Sequence, residues 1–128
     1  MHTQPYTVRD CFAQLRGVES LESTFDGASC RMRISEAHRN GLGTPHGAVI
    51  FALADIAFAS ACNATEATYI GLQAEIRYLN RAMGDELTAR AELVSASGRL
   101  AHYLVSVSDA EHNRIALLTA SAYRLPPR

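Results

Sequence analysis

The segment from Pro45 to Asn63 restricts the fold more than any other: it is rich in Ala, Leu, Phe and Ile, and Asp55 is the only charge in its interior. Its length and composition predict a helix that is apolar nearly all round. Such a helix must be covered over most of its circumference, because apolar surface left in water costs on the order of 25 cal/mol per Å². The apolar run falls short of the ~20 residues that span a bilayer, so no membrane partner is expected and the cover must come from the protein itself.

The remainder of the chain supplies that cover as strands. Ala28 to Ile34 alternates, with Cys30, Met32 and Ile34 on one side and Ser29, Arg31 and Arg33 on the other. Further on, Ile70, Leu72, Ala74, Ile76 and Tyr78 oppose Gln73, Glu75 and Arg77, and Leu87, Ala89, Ala91 and Leu93 oppose Thr88, Arg90 and Glu92. Tyr103, Val105 and Val107 alternate with His102, Ser106 and Ser108, and Ile115 to Tyr123 closes the series. Turn-like separators between these runs predict a four-stranded antiparallel meander joined by at least one earlier strand. Near the start, Val8, Cys11, Phe12 and Leu15 at helical spacing, after a Thr7 cap and before Gly17, predict one short amphipathic helix. One long central helix wrapped by a curved antiparallel sheet of five to six strands, with a short N-terminal helix, is the α+β arrangement called a hotdog. No linker or repeat divides residues 1–128, which read as a single domain.

Composition narrows the function. With 48% hydrophobic and 20% charged residues, a formal net charge of −1 and a sequence pI near 6.5, the chain describes one soluble globular domain and not a dedicated nucleic-acid binder. All twelve basic residues are arginine, so an anionic ligand would be met by guanidinium groups. Cys11, Cys30 and Cys62 are odd in number and far apart; they read as small buried hydrophobes, with neither a disulfide framework nor a zinc site indicated. The first ten residues hold no apolar stretch of the signal-peptide kind, and a cytoplasmic location is expected. G-x-S-x-G, G-x-x-x-x-G-K-[ST] and H-E-x-x-H are all missing, which removes serine-hydrolase, nucleotide-binding and zinc-protease readings.

The entry into the helix is a candidate site. The loop His38-Arg39-Asn40-Gly41-Leu42-Gly43-Thr44-Pro45-His46-Gly47 suits Thr44 as N-cap and Pro45 as first helical residue, placing His46 and Gly47 in the first turn. Backbone N–H groups there have no intrahelical acceptor and carry the positive end of the helix dipole, which suits a carbonyl oxygen or an oxyanion. Equally, Gly41, Gly43 and Gly47 are what a tight loop before a helix would contain. Asp55 must be hydrogen-bonded, paired or catalytic, since burying it unpaired costs several kcal/mol. A salt bridge to an arginine of the covering sheet is the structural alternative. Asp55 follows Gly47 by eight residues, about 12 Å along the axis, so the two cannot touch one small reacting group within a single helix. If both serve one centre, a second copy related by a C₂ axis must supply one of them.

Asn40-Gly41-Leu42-Gly43-Thr44-Pro45-His46-Gly47, followed by Phe51 to Asn63 with Asp55 inside it, resembles hotdog acyl-CoA thioesterases, most closely the phenylacetic-acid-degradation type. The similarity runs from about His38 to Arg124. It implies that Gly47 donates its N–H to the thioester carbonyl, that Asp55 of the partner subunit acts as general base or nucleophile, and that Asn40 positions the carbonyl or the attacking water. His46 matches a histidine lining the site; alone at a helix start it reads as a supporting side chain. The chain departs from the pattern at Gly71 and Ala59, where relatives carry hydroxyls, at Ala48, where a second glycine is common, and at Arg81, where a proline is usual. The implied substrate is a small aryl-acyl- or acyl-CoA thioester, hydrolysed without cofactor or metal. Ala48, Phe58 and Tyr69 are candidate pocket residues, and Arg81 and Arg99 candidate phosphate contacts. A homodimer is the minimal unit and a homotetramer of two dimers the expected assembly. The rival readings are a hotdog hydratase or dehydratase and a non-catalytic acyl-CoA-binding protein.

Overall fold

The structure is a computed structural model and describes residues 5–127. Two short helices, α1 (Tyr6–Arg9) and α2 (Cys11–Leu15), lead into strands β1 (Glu19–Ser23) and β2 (Gly27–Arg33). A 3-10 turn at Glu36–His38 and a loop deliver the chain to the long helix α3 (Gly47–Cys62). Then follow β3 (Tyr69–Tyr78), β4 (Glu86–Ser97), β5 (Leu100–Asp109) and β6 (Arg114–Arg124). The six strands form one antiparallel sheet in the order β1-β2-β4-β5-β6-β3, and α3 packs on it, as a hotdog fold requires.

Period-two alternation builds the core. Cys30 and Met32 of β2, Leu87, Ala89 and Ala91 of β4, Tyr103, Val105 and Val107 of β5, and Ala116, Leu118 and Ala122 of β6 are all buried. Against them lie Ile50, Leu53, Ala54, Ala57, Phe58 and Ala61 of α3, also buried. Alanines on both surfaces let helix and sheet approach closely, and the large side chains interlock where room remains. Phe58 meets Tyr103 edge-on with ring centroids 5.7 Å apart, while the Tyr103 hydroxyl donates to the Phe25 carbonyl at 2.7 Å.

Four expectations need correction. The meander is β4-β5-β6 only; β3 pairs with β6 and forms an edge of the sheet. Apolar alternation identifies a strand but not its neighbour, and residues 79–85 do not turn tightly. They run across the end of the sheet, with the Leu79 and Asn80 N–H groups donating to the Ile115 carbonyl, and the Asp85 carbonyl accepting from Ile34 N–H at 2.6 Å. β1 escaped the period-two reading because Glu19-Ser-Leu-Glu-Ser has no apolar alternation; its ladder with β2 holds it. The N-terminal helix is two pieces, broken at Asp10, whose side chain caps α2 by accepting from Ala13 N–H at 3.1 Å. Its buried residues are Thr7 and Ala13, whereas Val8, Phe12 and Leu15 are exposed in the single chain, and so is Cys11; only Cys30 and Cys62 are buried cysteines.

Asp109, buried at the rim of the sheet, fastens the 79–85 crossing. Its carboxylate accepts from the N–H groups of Met83, Glu111 and Asn113 at 2.8–2.9 Å and from the Asn113 amide at 3.2 Å. Desolvation would raise its pKa, but these donors together hold it below the ordinary carboxylate value. The lowered folded-state pKa means that this stabilisation is present at neutral pH and is lost as pH falls through that pKa. Asp109→Ala should cost about 1–3 kcal/mol in urea unfolding at pH 7, since three part-buried backbone donors lose their acceptor, and the deficit should shrink towards pH 3.

Candidate active site

Asn40 organises the loop before α3. Its side-chain oxygen accepts from Leu42 N–H at 2.9 Å and from Thr44 N–H and Oγ1 at 3.2 Å each, and its amide N–H₂ has no acceptor among the described residues. Arg39 donates to the Gly43 carbonyl at 2.9 Å, and Gly43 sits at φ +81°, a backbone angle that suits glycine. The His46 N–H then donates to the His38 carbonyl at 2.8 Å.

The helix begins two residues later than expected. His46, not Thr44, is the N-cap: its ring Nδ1 accepts from Ala48 N–H at 3.0 Å, and its backbone is extended at ψ 141°. Pro45 therefore lies outside the helix, fixing the approach in place of φ within the first turn. The cap forces Nδ1 to be the unprotonated nitrogen and makes His46 a structural support for the first turn. It also satisfies the N–H of Ala48, so Ala48 has none to offer. Gly47 is the first helical residue, and its N–H has no acceptor among the described residues. Gly47 lines a cavity of about 460 Å³ together with Pro45, Ile50, Tyr78, Asn80 and Arg81. The Tyr78 hydroxyl donates to the Gly47 carbonyl at 3.1 Å and fixes the first turn against the end of β3.

α3 is covered on all sides but one. Ala48 and Asp55 are exposed and Phe51, Ala52 and Ala59 half-buried, at spacings that place them on a single stripe. Asp55 is thus in the open stripe of the helix and not against the sheet. It forms no ion pair or hydrogen bond among the described residues, so the salt bridge to a sheet arginine does not exist in the single chain; Arg31, Arg33 and Arg90 pair with carboxylates at the edge of the sheet instead. Although its side chain reaches solvent, surrounding protein desolvates Asp55, and the nearby Asp10 adds like charge; both raise its pKa above 3.8. Solvent contact limits that shift in the single chain, and covering the stripe would enlarge it. Tyr6 shares the neighbourhood: burial, Asp10 and Asp55 push its hydroxyl up to about 12.

Gly47 and Asp55 remain two turns apart, about 12 Å along the axis. The other candidates divide. Arg81 joins Gly47 in its cavity. Phe58 is buried in the core of the single chain, packed edge-on against Tyr103. Tyr69 packs on Phe25 beside the C-terminal end of α3, where its N–H and carbonyl bond the Asn63 amide. Arg99 lies at that same far end, donating to the Arg124 carbonyl at 3.2 Å. Neither Tyr69 nor Arg99 is near Gly47 of its own chain. Tyr78, Asn80, Tyr6 and Asp10 were not foreseen as neighbours of the candidate residues; no spacing in the sequence announces that β3 ends at the helix start or that α1 returns to α3.

The family model described as the thioesterase superfamily matches residues 42–116, more than half of the chain and a span that holds both Gly47 and Asp55. The chain belongs to this superfamily. Within it the chain is a hotdog thioesterase of the PaaI type. It is 32% identical over 117 residues to a protein of Archaeoglobus fulgidus described as a putative esterase, covering 91% of this chain and 76% of that one. It is 26% identical to the acyl-coenzyme A thioesterase PaaI of Escherichia coli K12, covering 91% and 84%. Among solved structures, the TT0310 protein from Thermus thermophilus superposes with a TM-score of 0.85 at 33% identity, covering 91% of this chain and 99% of that one. The E. coli PaaI structure, at 23% identity and a TM-score of 0.87 over 94% and 88% of the two chains, shares the fold.

A carbon-detected NMR titration of the Asp55 carboxyl in this thioesterase should give a midpoint above 3.8. Asp10→Asn, which retains a capping oxygen but removes the charge, should move that midpoint down. An unmoved midpoint would contradict the placement of Asp10 beside Asp55.

Proposed function

We propose that this thioesterase hydrolyses small aryl-acyl- or acyl-CoA thioesters at a site shared by two copies of the chain. The observation that supports the reading is the pairing, on one helix, of a Gly47 N–H and an Asp55 carboxylate that both lack a partner among the described residues, the first at a cavity and the second on the stripe those residues leave open. Two antiparallel α3 helices packed by their open stripes would bring Gly47 of one copy opposite Asp55 of the other, twice per dimer. The exposed apolar residues Ile70, Leu72 and Tyr78 on the open edge strand β3 also support self-association. Two such dimers form a tetramer, and the protein works in the cytoplasm.

In this scheme the thioester carbonyl oxygen accepts from Gly47 N–H at the positive end of α3, where developing negative charge is stabilised in the transition state. The free amide of Asn40 orients the carbonyl or the attacking water. Asp55 takes one proton from that water as its oxygen bonds to the carbonyl carbon. When the tetrahedral intermediate collapses, the C–S bond breaks, the sulfur leaves with the electron pair, and the proton held by Asp55 neutralises the thiolate. Free acid and CoA thiol are the products. Direct attack by Asp55, giving a mixed anhydride that water then opens, uses the same geometry. A carboxylate with a raised pKa is the stronger base, so turnover should rise with pH through the Asp55 pKa. Arg81 is placed to meet the CoA arm or its phosphates in the Gly47 cavity. The scheme uses only groups of the chain, water and the ester.

Asp55→Asn and Asp55→Ala should each lower thiol release by about 10²–10⁴-fold, the usual worth of a general base. Gly47→Pro should lower it about 10²–10³-fold, the usual worth of one oxyanion donor. That substitution removes the N–H on a permitted backbone, since the first helical position tolerates proline and His46 already holds the extended ψ that a following proline requires. A Cβ at position 47 stands 3.4–3.6 Å from the Tyr78 ring and hydroxyl, so Gly47→Ala, which keeps the N–H, is the control for the added atoms. Near-wild-type turnover in both Asp55 variants would contradict the scheme, and a monomer in sedimentation would contradict the shared site.

A further inference from the structure

A second cavity, of about 180 Å³, lies between α2 and the first turns of α3. It shares Ala48 and Ala52 with the open stripe and continues inward past Val49 to Met32 of β2. At about 100° per residue, these α3 positions face away from Gly47 and Ile50, so the two cavities flank the helix start on opposite sides. The walls are apolar apart from Arg16, the residue that ends α2. Its Nε is buried and has no hydrogen-bond partner, and no carboxylate pairs with its guanidinium among the described residues. The guanidinium is held over the Phe12 ring at 5.9 Å. A buried N–H donor without an acceptor, on a side chain that cannot shed its charge, is costly to keep. An anionic acceptor entering the cavity would remove that cost and gain a charge-assisted hydrogen bond.

We infer that this cavity receives the acyl group of the thioester and that Arg16 selects acyl groups ending in a carboxylate, the mono-CoA esters of short dicarboxylic acids. The inference rests on the acyl-CoA thioesterase reading above and names the substrate class of that site. Ala48 and Ala52 line both the cavity and the open stripe that carries Asp55, so an acyl group held between two α3 stripes meets the cavity mouth. A cavity of about 180 Å³ suits a short acyl chain. A glutaryl group extends beyond its thioester carbonyl by four carbons and two carboxylate oxygens. Apolar walls suit the methylenes, and the terminal carboxylate meets the guanidinium.

The test compares kcat/KM for glutaryl-CoA with that for pentanoyl-CoA, which has the same chain length without the terminal charge. Wild type should prefer glutaryl-CoA by about tenfold or more, the scale of a charge-assisted hydrogen bond. Arg16→Met keeps the apolar stem and removes the charge; it should lower the glutaryl-to-pentanoyl ratio about tenfold, with Arg16→Lys in between. A ratio taken on one preparation is independent of the folded fraction, so partial misfolding of a variant does not mimic the effect. Should Arg16→Met prove wholly inactive, product inhibition of the wild type decides: glutarate must inhibit pentanoyl-CoA hydrolysis more strongly than pentanoate does. Equal turnover of the two esters, an unchanged ratio in Arg16→Met, or equal inhibition by the two acids would overturn the inference. The Asp55→Asn control separates the two readings, because its loss of pentanoyl-CoA turnover supports the thioesterase scheme whatever Arg16 does. Wild type that releases thiol from no CoA ester overturns that scheme instead.

Discussion

The structure depends on the burial of α3. A sixteen-residue helix with no polar face has to be enclosed, and a single sheet encloses only part of a cylinder. Ile50, Leu53, Ala54, Ala57, Phe58 and Ala61 account for the covered arc, and the alanine-rich strands β4, β5 and β6 come close enough to seal it. The remaining arc, Ala48 through Phe51, Ala52 and Asp55 to Ala59, is left with one charge among small and apolar side chains. A surface of that kind is under pressure to find more cover, and a second α3 presented antiparallel is the cover of matching shape. In the proposed dimer burial and chemistry would coincide, because the closure that removes the apolar stripe from water would bring a carboxylate to the start of the opposite helix.

The start of α3 is built to keep one donor free. Asn40 spends its oxygen on the loop, His46 spends its ring nitrogen on the Ala48 N–H, and Tyr78 holds the Gly47 carbonyl from the far side. What is left over is the Gly47 N–H, rigidly aimed and at the positive end of the dipole. Preorganised donors of this sort cost no reorganisation when charge develops, which is why such a position is suited to an oxyanion. Asp55 is tuned from the other end of the chain, by burial and by Asp10 at the break between α1 and α2. The short N-terminal helices border the same stretch of α3: Tyr6 and Asp10 act electrostatically on the Asp55 neighbourhood, and Phe12 and Arg16 line the apolar cleft.

Much of this was legible in the sequence alone. The unbroken apolar run of residues 48–54 with Asp55 after it predicted the central helix, its need for cover and the odd carboxylate, because burial energy acts on composition directly. Alternation marked β2 to β6 for the same reason. Pairing order was not legible, since β3 looks the same beside β4 as beside β6 and only the path of residues 79–85 decides. The cap was misread because Thr44 and Pro45 satisfy the general preferences, while the choice of His46 depends on its ring reaching Ala48 N–H. The packing of Phe58 on Tyr103 was not legible either, because the contact joins α3 to a distant strand. The role of α1 and α2 was hidden too: Val8, Phe12 and Leu15 describe an apolar face that the single chain does not bury.

The central claim is that each site takes its oxyanion donor from one chain and its carboxylate from another. Subunit mixing tests it most directly. Asp55→Ala and Gly47→Pro are each expected to be inactive as pure preparations. After denaturation and joint refolding in equal amounts, half of the dimers formed at random contain one chain of each kind. Every mixed dimer keeps one intact site of two, with Gly47 from the Asp55→Ala chain and Asp55 from the Gly47→Pro chain, so about a quarter of wild-type thiol release should return. If the mixture stays as inactive as its components while mixed dimers are present, both groups act within one chain or at no common centre, and the shared site is wrong.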